Sequence, residues 1–266
     1  MNKNNKYKNA VKDIVGGARC NSLWIVFAWN DIKVRYIRSL LGPFWITIST
    51  ALMVGLMGPL YGVLFGQPTV EFVVYLTISF VIWIFISTTI IESSQIFIVS
   101  DAYIKQISLP FTFYIYRLIA RNGIIFFHNS VLLLFAFILA QNINGYALIL
   151  LPIGIILVVG NLLWIATLLA ILGARYRDVN QLVINIVQIS FFLSPIMWKA
   201  DMLPQSKQFL LLFNPLYHLV EIIRAPIMGN FPSIYSYIFI ASFMMLGMCL
   251  TFYIFSRYRN RIAYWI

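Results

Sequence analysis

The sequence has 266 residues, of which 61% are hydrophobic and only 10% are charged, and its mean hydropathy is +0.87. These values are typical of a protein with several membrane spans and exclude a soluble domain with an ordinary polar surface. The formal net charge of +11 does not indicate nucleic-acid binding, because basic residues that flank apolar spans mark the cytoplasmic face of a membrane protein.

Two segments precede the first long apolar stretch. Residues 1–21 are polar and basic, and we expect them to be partly disordered. Ser22–Leu41 has apolar residues at helical spacing and charged residues on the remaining faces, which predicts an amphipathic helix in the membrane interface. A plain basic anchor with no substrate role is the alternative. Four charges exclude a span here: Asp31, Lys33, Arg35 and Arg38.

Six apolar stretches follow, each close to the roughly 20 residues that a helix needs to cross a bilayer. The fourth is long and the fifth is short. No internal repeat and no second, soluble domain are visible. The predicted spans are Phe44–Phe65, Phe72–Ile91, Leu118–Ala140, Tyr146–Gly173, Leu182–Trp198 and Ser233–Phe255.

The basic residues set the predicted orientation. With a cytoplasmic N-terminus, only Lys199, Lys207 and Arg224 fall outside, and the other 16 of the 19 lysines and arginines face the cytoplasm. Both termini are then cytoplasmic. Cys20 and Cys249 both fall towards that side, so no disulfide is expected.

The least regular stretch is Phe191–Gly229, on the outer side. Two short apolar runs, Gln208–Phe213 and Leu216–Ile223, are separated by Asn214-Pro215, which breaks a helix. Each run covers at most about 15 Å of a hydrocarbon core of about 30 Å, so neither spans. Two structures remain open: a re-entrant pair of half-helices that acts as a gate, or two amphipathic pieces that lie in the headgroups.

Polar side chains at helical spacing mark two further faces. Asn185 and Gln188 are three residues apart in the fifth span and therefore share one helical face. Contact of their side-chain amides with lipid is unfavourable, so they line a polar path or bond a neighbouring helix. Glu221 and Arg224 share a face of the second half-helix, with His218 three residues before Glu221. A pair here either pins a gate or makes an exposed face soluble.

The sequence offers little bond-making chemistry. The eight acidic residues fall at span ends or outside spans, which disfavours a proton- or sodium-coupled carrier, and no acid cluster of a hydrolase or glycosyltransferase is visible. His128, Asn129 and Asn161 are expected to form interhelical hydrogen bonds, and no metal site is predicted. There is no G-x-x-x-x-G-K-[ST] phosphate loop, so we expect no nucleotide site, no cofactor and an external energy source.

Two cytoplasmic loops are candidates for contact with a partner that supplies energy. Glu92–Pro110 is too polar to span, and Asp101 and Lys105 stand four residues apart on one helical face. The loop after the fourth span contains Arg175 and Arg177. Two arginines at a cytoplasmic helix end are also what the positive-inside rule gives without any partner.

Several motifs together resemble the ABC-2 type permeases that export polysaccharide. The resemblance runs from about residue 22 to the end, and the order and spacing of the motifs make it more specific than any one motif. The closing Arg261–Ile266 looks like the C-terminus of O-antigen permeases. The other motifs are Asn30–Tyr36, Ser39–Trp45, Ile104-Lys105-x-Ile107-x-Leu109-Pro110, Gly173–Asp178, Ser194-Pro195-Ile196, Leu203-Pro204, Asn214-Pro215-Leu216, and Arg224 before Gly229.

The resemblance implies roles for particular residues. The basic helix would receive the lipid-pyrophosphate end of a substrate through Lys33, Arg35, Tyr36 and Arg38. The first and fifth spans would line the conduit with Trp45, Met53, Asn185, Gln188 and Phe192. A short coupling helix and a second loop would contact an ABC ATPase through Asp101, Tyr103, Lys105, Arg175 and Arg177. The outer gate would contain Pro195, Asn214, Pro215, His218, Glu221 and Arg224.

The same resemblance implies an all-α membrane protein with six spans and an outer re-entrant element at about 199–230. It divides the chain into an N-terminal region 1–43, a transmembrane domain 44–256 and a C-terminal segment 257–266. Two copies, with two ATPase chains that bind Mg-ATP, would export O-antigen on undecaprenyl pyrophosphate across the bacterial inner membrane. The alternatives are a capsule or teichoic-acid exporter, an ABC-2 drug or small-lipid exporter and, from another class, a membrane glycosyltransferase or polymerase.

Overall fold

The computed structural model of the chain describes residues 3–42, 44–139 and 145–266. This described part is built from helices and connecting turns and contains no β-strand. Two predicted boundaries, Pro43 at the end of the N-terminal region and Ala140 at the end of the third span, lie outside the described residues.

The α-helices are numbered here along the described residues. They are α1 Lys3–Arg19, α2 Asn21–Arg35, α3 Phe44–Leu64, α4 Thr69–Ser93, α5 Ile96–Val99, α6 Asp101–Gln106, α7 Phe111–Leu139, α8 Gly145–Leu148, α9 Leu151–Arg175, α10 Val179–Leu193, α11 Phe209–Leu212, α12 Pro215–Ile227, α13 Ile234–Tyr258 and α14 Ile262–Trp265. Short 3-10 turns lie at Ala200–Met202, Gln205–Lys207 and Arg259–Arg261.

Five helical segments are long and apolar enough to cross a membrane. They are α3, α4, α7, the Gly145–Arg175 segment that contains α8 and α9, and the Ile234–Trp265 segment that begins with α13. The shorter apolar helix α10 lies where the fifth span was predicted. The all-α fold class with several spans, predicted from hydropathy, is therefore confirmed.

The fifth predicted span, Leu182–Trp198, is placed too far along the chain. The helix begins at Val179 and ends at Leu193, because Ser194 adopts an extended backbone (φ −98°, ψ 143°). The following proline disfavours helical conformation in the residue before it, which explains this early end. At a rise of 1.5 Å per residue, α10 covers only about 22 Å.

The N-terminal region is more ordered than its composition indicates. Residues 3–19, predicted to be partly disordered, form α1, which packs against α7 and α13. The predicted interface helix is shorter than Ser22–Leu41, because α2 ends at Arg35. Arg38 and Gly42 in the following turn have left-handed backbones, with φ of 69° and 56°. Such residues cannot continue a right-handed helix.

The core of the fold lies around α4. It is the most enclosed of the five spans, with 72% of its apolar window buried against 39% or less in the others. It packs against α3, α7, α9, α10 and α12. Fully buried apolar side chains run along its length, among them Phe72, Leu76, Ile82 and Ile86. The second span is therefore the scaffold against which the other elements are held.

Gly173 near the end of α9 fixes the position of the turn after α4. A Cβ atom at this glycine would lie 1.7 Å from the carbonyl oxygen of Ser94, so no larger residue fits without backbone movement. The hydroxyl of Ser94 also donates to Asn180 Oδ1 at the start of α10, at 2.9 Å. Three helices thus meet where α4 is followed by the short helices α5 and α6.

The outer segment contains the predicted helix break. Gln205–Leu212 and Pro215–Ile227 meet at an angle of 94°. The side-chain oxygen of Asn214 accepts hydrogen bonds from the N–H groups of the second and third residues after it, at 3.0 and 3.1 Å, and so caps α12. The second half, α12, packs against α4, α9 and α13. The break therefore comes from a capping asparagine followed by a proline at the first helical position.

Candidate transport and coupling sites

Charged residues join α2 to the C-terminal end of α4 and to the N-terminal part of α7. Asp31 of α2 accepts hydrogen bonds from Arg117 of α7, whose Nε lies 2.7 Å from Asp31 Oδ2. One turn along α7, Arg121 donates to Glu92 of α4 at 2.6 Å and lies 3.8 Å from Asp31. Arg35 of α2 donates to the other oxygen of Glu92 at 3.1 Å. The interface helix is therefore fixed to two spans by partly buried ion pairs, which salt screens less than surface pairs.

The four residues predicted at the substrate entrance differ in whether they take part in this network. Arg35 is bound to Glu92, whereas Lys33 and Arg38 form no ion pair with any residue in the described ranges. Arg38 is exposed, on a left-handed backbone. Burial raises the pKa of Tyr36, so its hydroxyl stays protonated and able to donate a hydrogen bond. Lys33, Tyr36 and Arg38 are available to an anion, and Arg35 holds the helix in place.

The helices α5 and α6 form the connection between α4 and α7. On α6, Lys105 Nζ lies 2.8 Å from Asp101 Oδ1 in an exposed pair, which as a class is worth about 0.3–0.5 kcal/mol. Tyr103 packs edge-on against Phe27 of α2, with ring centroids 5.9 Å apart. The same ring lies 5.4 Å from the guanidinium of Arg117. The predicted coupling helix, α6, therefore contacts both α2 and the arginine that anchors α2.

Asp13 is a buried acid that the sequence reasoning did not select. It is only 2% exposed, and its carboxylate accepts hydrogen bonds from the backbone N–H groups of Phe111 and Thr112 at 3.2 and 3.0 Å. Arg259 donates to the same carboxylate at 2.6 Å. A residue of α1 therefore caps α7 from outside, where the anion faces the positive end of the helix dipole. The signal in the sequence is that α7 begins directly after Pro110, with no capping side chain of its own.

Arg175 and Arg177, predicted to contact the ATPase, have different surroundings. The Arg175 guanidinium lies 5.0, 5.5 and 6.0 Å from the rings of Tyr176, Trp265 and Tyr258. Arg177 is exposed and forms no ion pair with another described residue. Arg175 thus ties the end of α9 to the C-terminal segment by cation–π contacts, although both arginines are exposed.

The residues predicted to line the conduit lie on two helices that both pack against α4. Trp45 and Met53 on α3 are exposed, as are Asn185, Gln188 and Phe192 on α10. The amide of Asn185 accepts a hydrogen bond from another amide one turn earlier, at 3.2 Å, and not from a neighbouring helix. Both sets of side chains therefore face away from the core of this chain.

Asn214 also links the two parts of the outer segment. Beyond capping α12, its side-chain nitrogen donates to the hydroxyl of Ser194 at 3.0 Å. Ser194 directly follows α10 and precedes Pro195 in the predicted gate. The same asparagine thus closes the start of α12 and holds it against the end of the fifth apolar helix.

His218 lies one turn into α12 and is 1% exposed. Its Nδ1 lies 2.9 Å from the hydroxyl of Ser236 on α13, and its Nε2 lies 2.9 Å from the carbonyl oxygen of Leu212. The two hydrogen bonds of this histidine therefore go to α13 and to the first half-helix, and not to Glu221. Both ring nitrogens have a partner, so His218 acts as a buried connector within the outer segment.

Arg224 is the charged side chain at the centre of the outer segment, and it is 4% exposed. Its Nη1 donates to the carbonyl oxygen of Pro195 at 2.5 Å and to the hydroxyls of Tyr75 and Ser79 at 2.6 and 3.1 Å. Its Nε and Nη2 both donate to Glu221, which confirms the predicted pairing. Its guanidinium also lies 4.5 Å from the ring of Tyr75. One side chain thus joins α12, α4 and the segment that follows α10.

Two of the three polar residues expected to form interhelical hydrogen bonds within the spans, Asn129 and Asn161, do so. Asn129 on α7 accepts from the hydroxyl of Thr47 on α3 at 2.9 Å. Asn161 on α9 donates to the carbonyl oxygen of Ile240 on α13 at 3.3 Å. His128 contacts the aromatic ring at the start of α3. Over residues 3–42, 44–139 and 145–266, no group of three or more His, Cys, Asp or Glu is arranged to hold a metal ion.

Comparison with known proteins identifies the family of this chain. Residues 22–228 match the ABC-2 type transporter family. The chain is 24% identical over 203 residues to an O-antigen export system permease protein RfbA of Klebsiella pneumoniae, covering 74% of this chain and 77% of the relative. A second Klebsiella pneumoniae protein of the same name is 21% identical over 248 residues, covering 91% of this chain and 93% of the relative. With more than half of its length matched, this chain belongs to the ABC-2 type transporter family and is a membrane transport subunit of the kind that associates with an ABC ATPase.

Proposed function

We propose that this chain is the permease of an exporter that moves undecaprenyl-pyrophosphate-linked O-antigen polysaccharide from the cytoplasm to the periplasm. The observation that carries the proposal is the similarity, over 91% of the chain, to a protein named as an O-antigen export permease. The energy comes from ATP hydrolysis on separate ABC ATPase subunits that bind Mg-ATP, and this chain contributes no catalytic residue and no cofactor.

The conduit in this proposal forms between two copies of the chain. Its support is that α3 and α10 each bury one face against α4 and leave the opposite face uncovered. On those faces, Trp45 and Phe192 offer flat rings that stack on sugars, and Asn185 and Gln188 offer amides that bond hydroxyl groups. Such a lining lets a polymer slide, because no single site holds it tightly.

Substrate enters beside the turn after α2. Lys33 and Arg38 are exposed and carry positive charges that no described acid neutralises, while Tyr36 supplies a hydroxyl donor. A pyrophosphate carries charges and acceptor oxygens that suit such donors. Arg35 contributes indirectly, since its ion pair with Glu92 fixes the helix that presents the other three.

Coupling to the ATPase passes through α6. Asp101 and Lys105 lie on the exposed side of this helix, and Arg177 on the neighbouring loop is also exposed. Movement of α6 reaches the interface helix through the contacts of Tyr103 with Phe27 and Arg117. The energy of ATP hydrolysis is thereby linked to the place where substrate enters.

The outer segment acts as the gate. Arg224, Asn214 and His218 hold α12 against α4, the end of α10 and α13, so the gate opens only when these contacts break or when the bonded helices move together with α12. We assign the re-entrant part of the gate to about 199–230, preceded by Pro195, within a transmembrane domain of residues 44–256, between an N-terminal region 1–43 and a C-terminal segment 257–266. Both termini lie in the cytoplasm in this arrangement, and the protein lies in the bacterial inner membrane.

Depletion of the chain in its native host tests the substrate assignment. We expect a long polysaccharide on a polyprenyl pyrophosphate to accumulate at the inner face of the membrane, detected by lipid extraction and mass spectrometry. Accumulation of a phospholipid-linked capsule or a teichoic acid would assign the chain to those exporters instead. The absence of any trapped glycan would reject the polysaccharide proposal in favour of drug or small-lipid export.

A double variant of α6 tests the coupling route. Tyr103→Ala combined with Lys105→Ala should leave ATP hydrolysis by the assembled complex active while export falls, because the contact between α6 and Arg117 is lost. Lys207→Ala, on the outer segment, is the matched control and should leave the ratio of export to hydrolysis unchanged. An unchanged ratio in the double variant would reject this route.

Charge reversal separates the two arginines at the entrance. Arg38→Glu should abolish export in a complex that still assembles, because Arg38 has no ion-pair partner among the described residues. Arg35→Glu should loosen α2 as well, since it places a second carboxylate against Glu92. Full export by the Arg38→Glu variant would exclude this arginine from substrate entrance.

A further inference from the structure

A cluster of basic residues lies where α1 crosses the cytoplasmic end of α13. The ring of Tyr7 on α1 stacks on Phe252 of α13, with centroids 6.1 Å apart. This contact brings Lys6 next to Arg257 and Arg261, although the two segments are about 250 residues apart in the sequence. These three residues, Lys6, Arg257 and Arg261, are here named the α1–α13 basic cluster.

The basic cluster lines two cavities that share Lys6, Ser256 and Arg257. The first has a volume of about 350 Å³ and also includes Arg261. The second has a volume of about 410 Å³ and extends along α1 to Tyr7. No acidic residue lines either cavity. Each is large enough for a phosphate group with part of its glycerol.

The positive charge of the basic cluster is not neutralised within the part of the chain that the structure describes. Arg259, two residues after Arg257, pairs with buried Asp13 at 2.6 Å. Lys6, by contrast, forms no ion pair with an acid among the described residues, and the same holds for Arg257 and Arg261. The cluster therefore attracts an anion, and guanidinium groups suit phosphate oxygens best.

The position of the basic cluster selects a lipid as the source of that anion. On the topology that the positive-inside rule gives, the end of α13 lies at the cytoplasmic surface of the membrane. Tyr7 and Tyr253 lie beside the cluster and are exposed, as is typical of aromatic residues at headgroup level. Basic pockets beside transmembrane helices on this side bind lipid headgroups.

We propose that the α1–α13 basic cluster is a binding site for the phosphate of a membrane lipid, with an anionic phospholipid of the inner leaflet as its ligand. The same phosphate chemistry exists in the pyrophosphate of a polyprenyl carrier, so the experiment distinguishes the two sources. The proposal needs only that the chain lies in a membrane with the end of α13 at the cytoplasmic surface. It stands or falls independently of the polysaccharide assignment above.

Two charge-matched double variants of the purified full-length chain provide the test. Lys6→Gln with Arg257→Gln removes two charges from the basic cluster. Lys8→Gln with Arg19→Gln removes two exposed charges from α1 that line neither cavity. Lys8 is two positions from Lys6 and therefore about 200° away around the helix. Melting temperatures in neutral detergent without added lipid check that both variants fold.

Native mass spectrometry measures the binding of phosphatidylglycerol and, as the neutral reference, phosphatidylcholine. Wild type and the Lys8/Arg19 variant should prefer phosphatidylglycerol, and the Lys6/Arg257 variant should bind it about 25-fold more weakly, since each basic residue near the surface contributes about fivefold. A third arm adds farnesyl pyrophosphate. If it displaces phosphatidylglycerol from wild type more effectively than further phosphatidylglycerol does, the polyprenyl carrier is the source. Equal phosphatidylglycerol binding by the two variants would overturn the proposal.

Discussion

Replacement of Arg224 by alanine should destabilise the protein more than any other single change in the outer segment. The substitution removes the donors to Pro195, Tyr75 and Ser79 and leaves Glu221 without its partner. Loss of one member of a buried ion pair costs about 3–5 kcal/mol. Glu221 retains some contact with solvent, its side chain being 22% exposed, so we expect the lower end of that range.

Matched variants separate the ion pair from the surrounding hydrogen bonds. Ser79→Ala removes one hydroxyl partner of Arg224 and should cost about 0.6 kcal/mol, the average for a polar contact between membrane helices. Arg224→Lys keeps the charge but loses the planar guanidinium. Its loss of unfolding free energy should lie between those of Arg224→Ala and Ser79→Ala. The measurement is reversible unfolding in mixed micelles of a mild detergent and dodecyl sulfate. If Arg224→Ala lowers the unfolding free energy no more than Ser79→Ala does, the guanidinium does not hold α12 to α4 and to the segment after α10.

Three further substitutions test other contacts. Asp13→Ala should lower the free energy of unfolding by about 1–2 kcal/mol, because α7 loses its cap. Asp13→Asn should lower it less, because an acceptor oxygen remains at this position. Equal losses in the two variants would contradict the capping role of Asp13. Gly173→Ala should reduce the monodisperse yield on size-exclusion chromatography, because the added methyl group would clash with a backbone carbonyl oxygen. Gly160→Ala is the control, because its methyl group would meet only a flexible methionine side chain. Equal yields of the two variants would refute the clash at Gly173. Arg121→Leu should speed trypsin cleavage within α2, since the carboxylates of Asp31 and Glu92 lose a shared partner. Unchanged cleavage would show that Arg121 does not hold α2 in place.

The sequence was sufficient for features that depend on local pattern. Hydropathy located the apolar helices, and Asn214-Pro215 located the break in the outer segment. The pairing of Glu221 with Arg224 follows from their spacing on one helix, and the structure confirms it. The end of α10 was missed, although the proline at position 195 was the relevant signal.

Contacts between distant segments were not predictable in this way. The partners of Arg117 and Arg121 lie on other helices, and nothing in the spacing of the sequence joins them to Asp31. The order of α1 was missed for the same reason. Its composition is that of a solvated tail, but the buried contact of Asp13 with the start of α7 and with Arg259 supplies the stabilisation that composition does not show.

The cap that Asp13 places on α7 has a practical consequence for handling this protein. An investigator who trims the first nineteen residues as a dispensable leader would delete the acceptor for two backbone N–H groups of the third span. The same deletion would remove the acidic partner of the Arg259 guanidinium, near the other end of the sequence. Affinity tags are therefore better placed after Ile266 than spliced in place of α1, and shortened versions that fail to express would say nothing about the six apolar helices themselves.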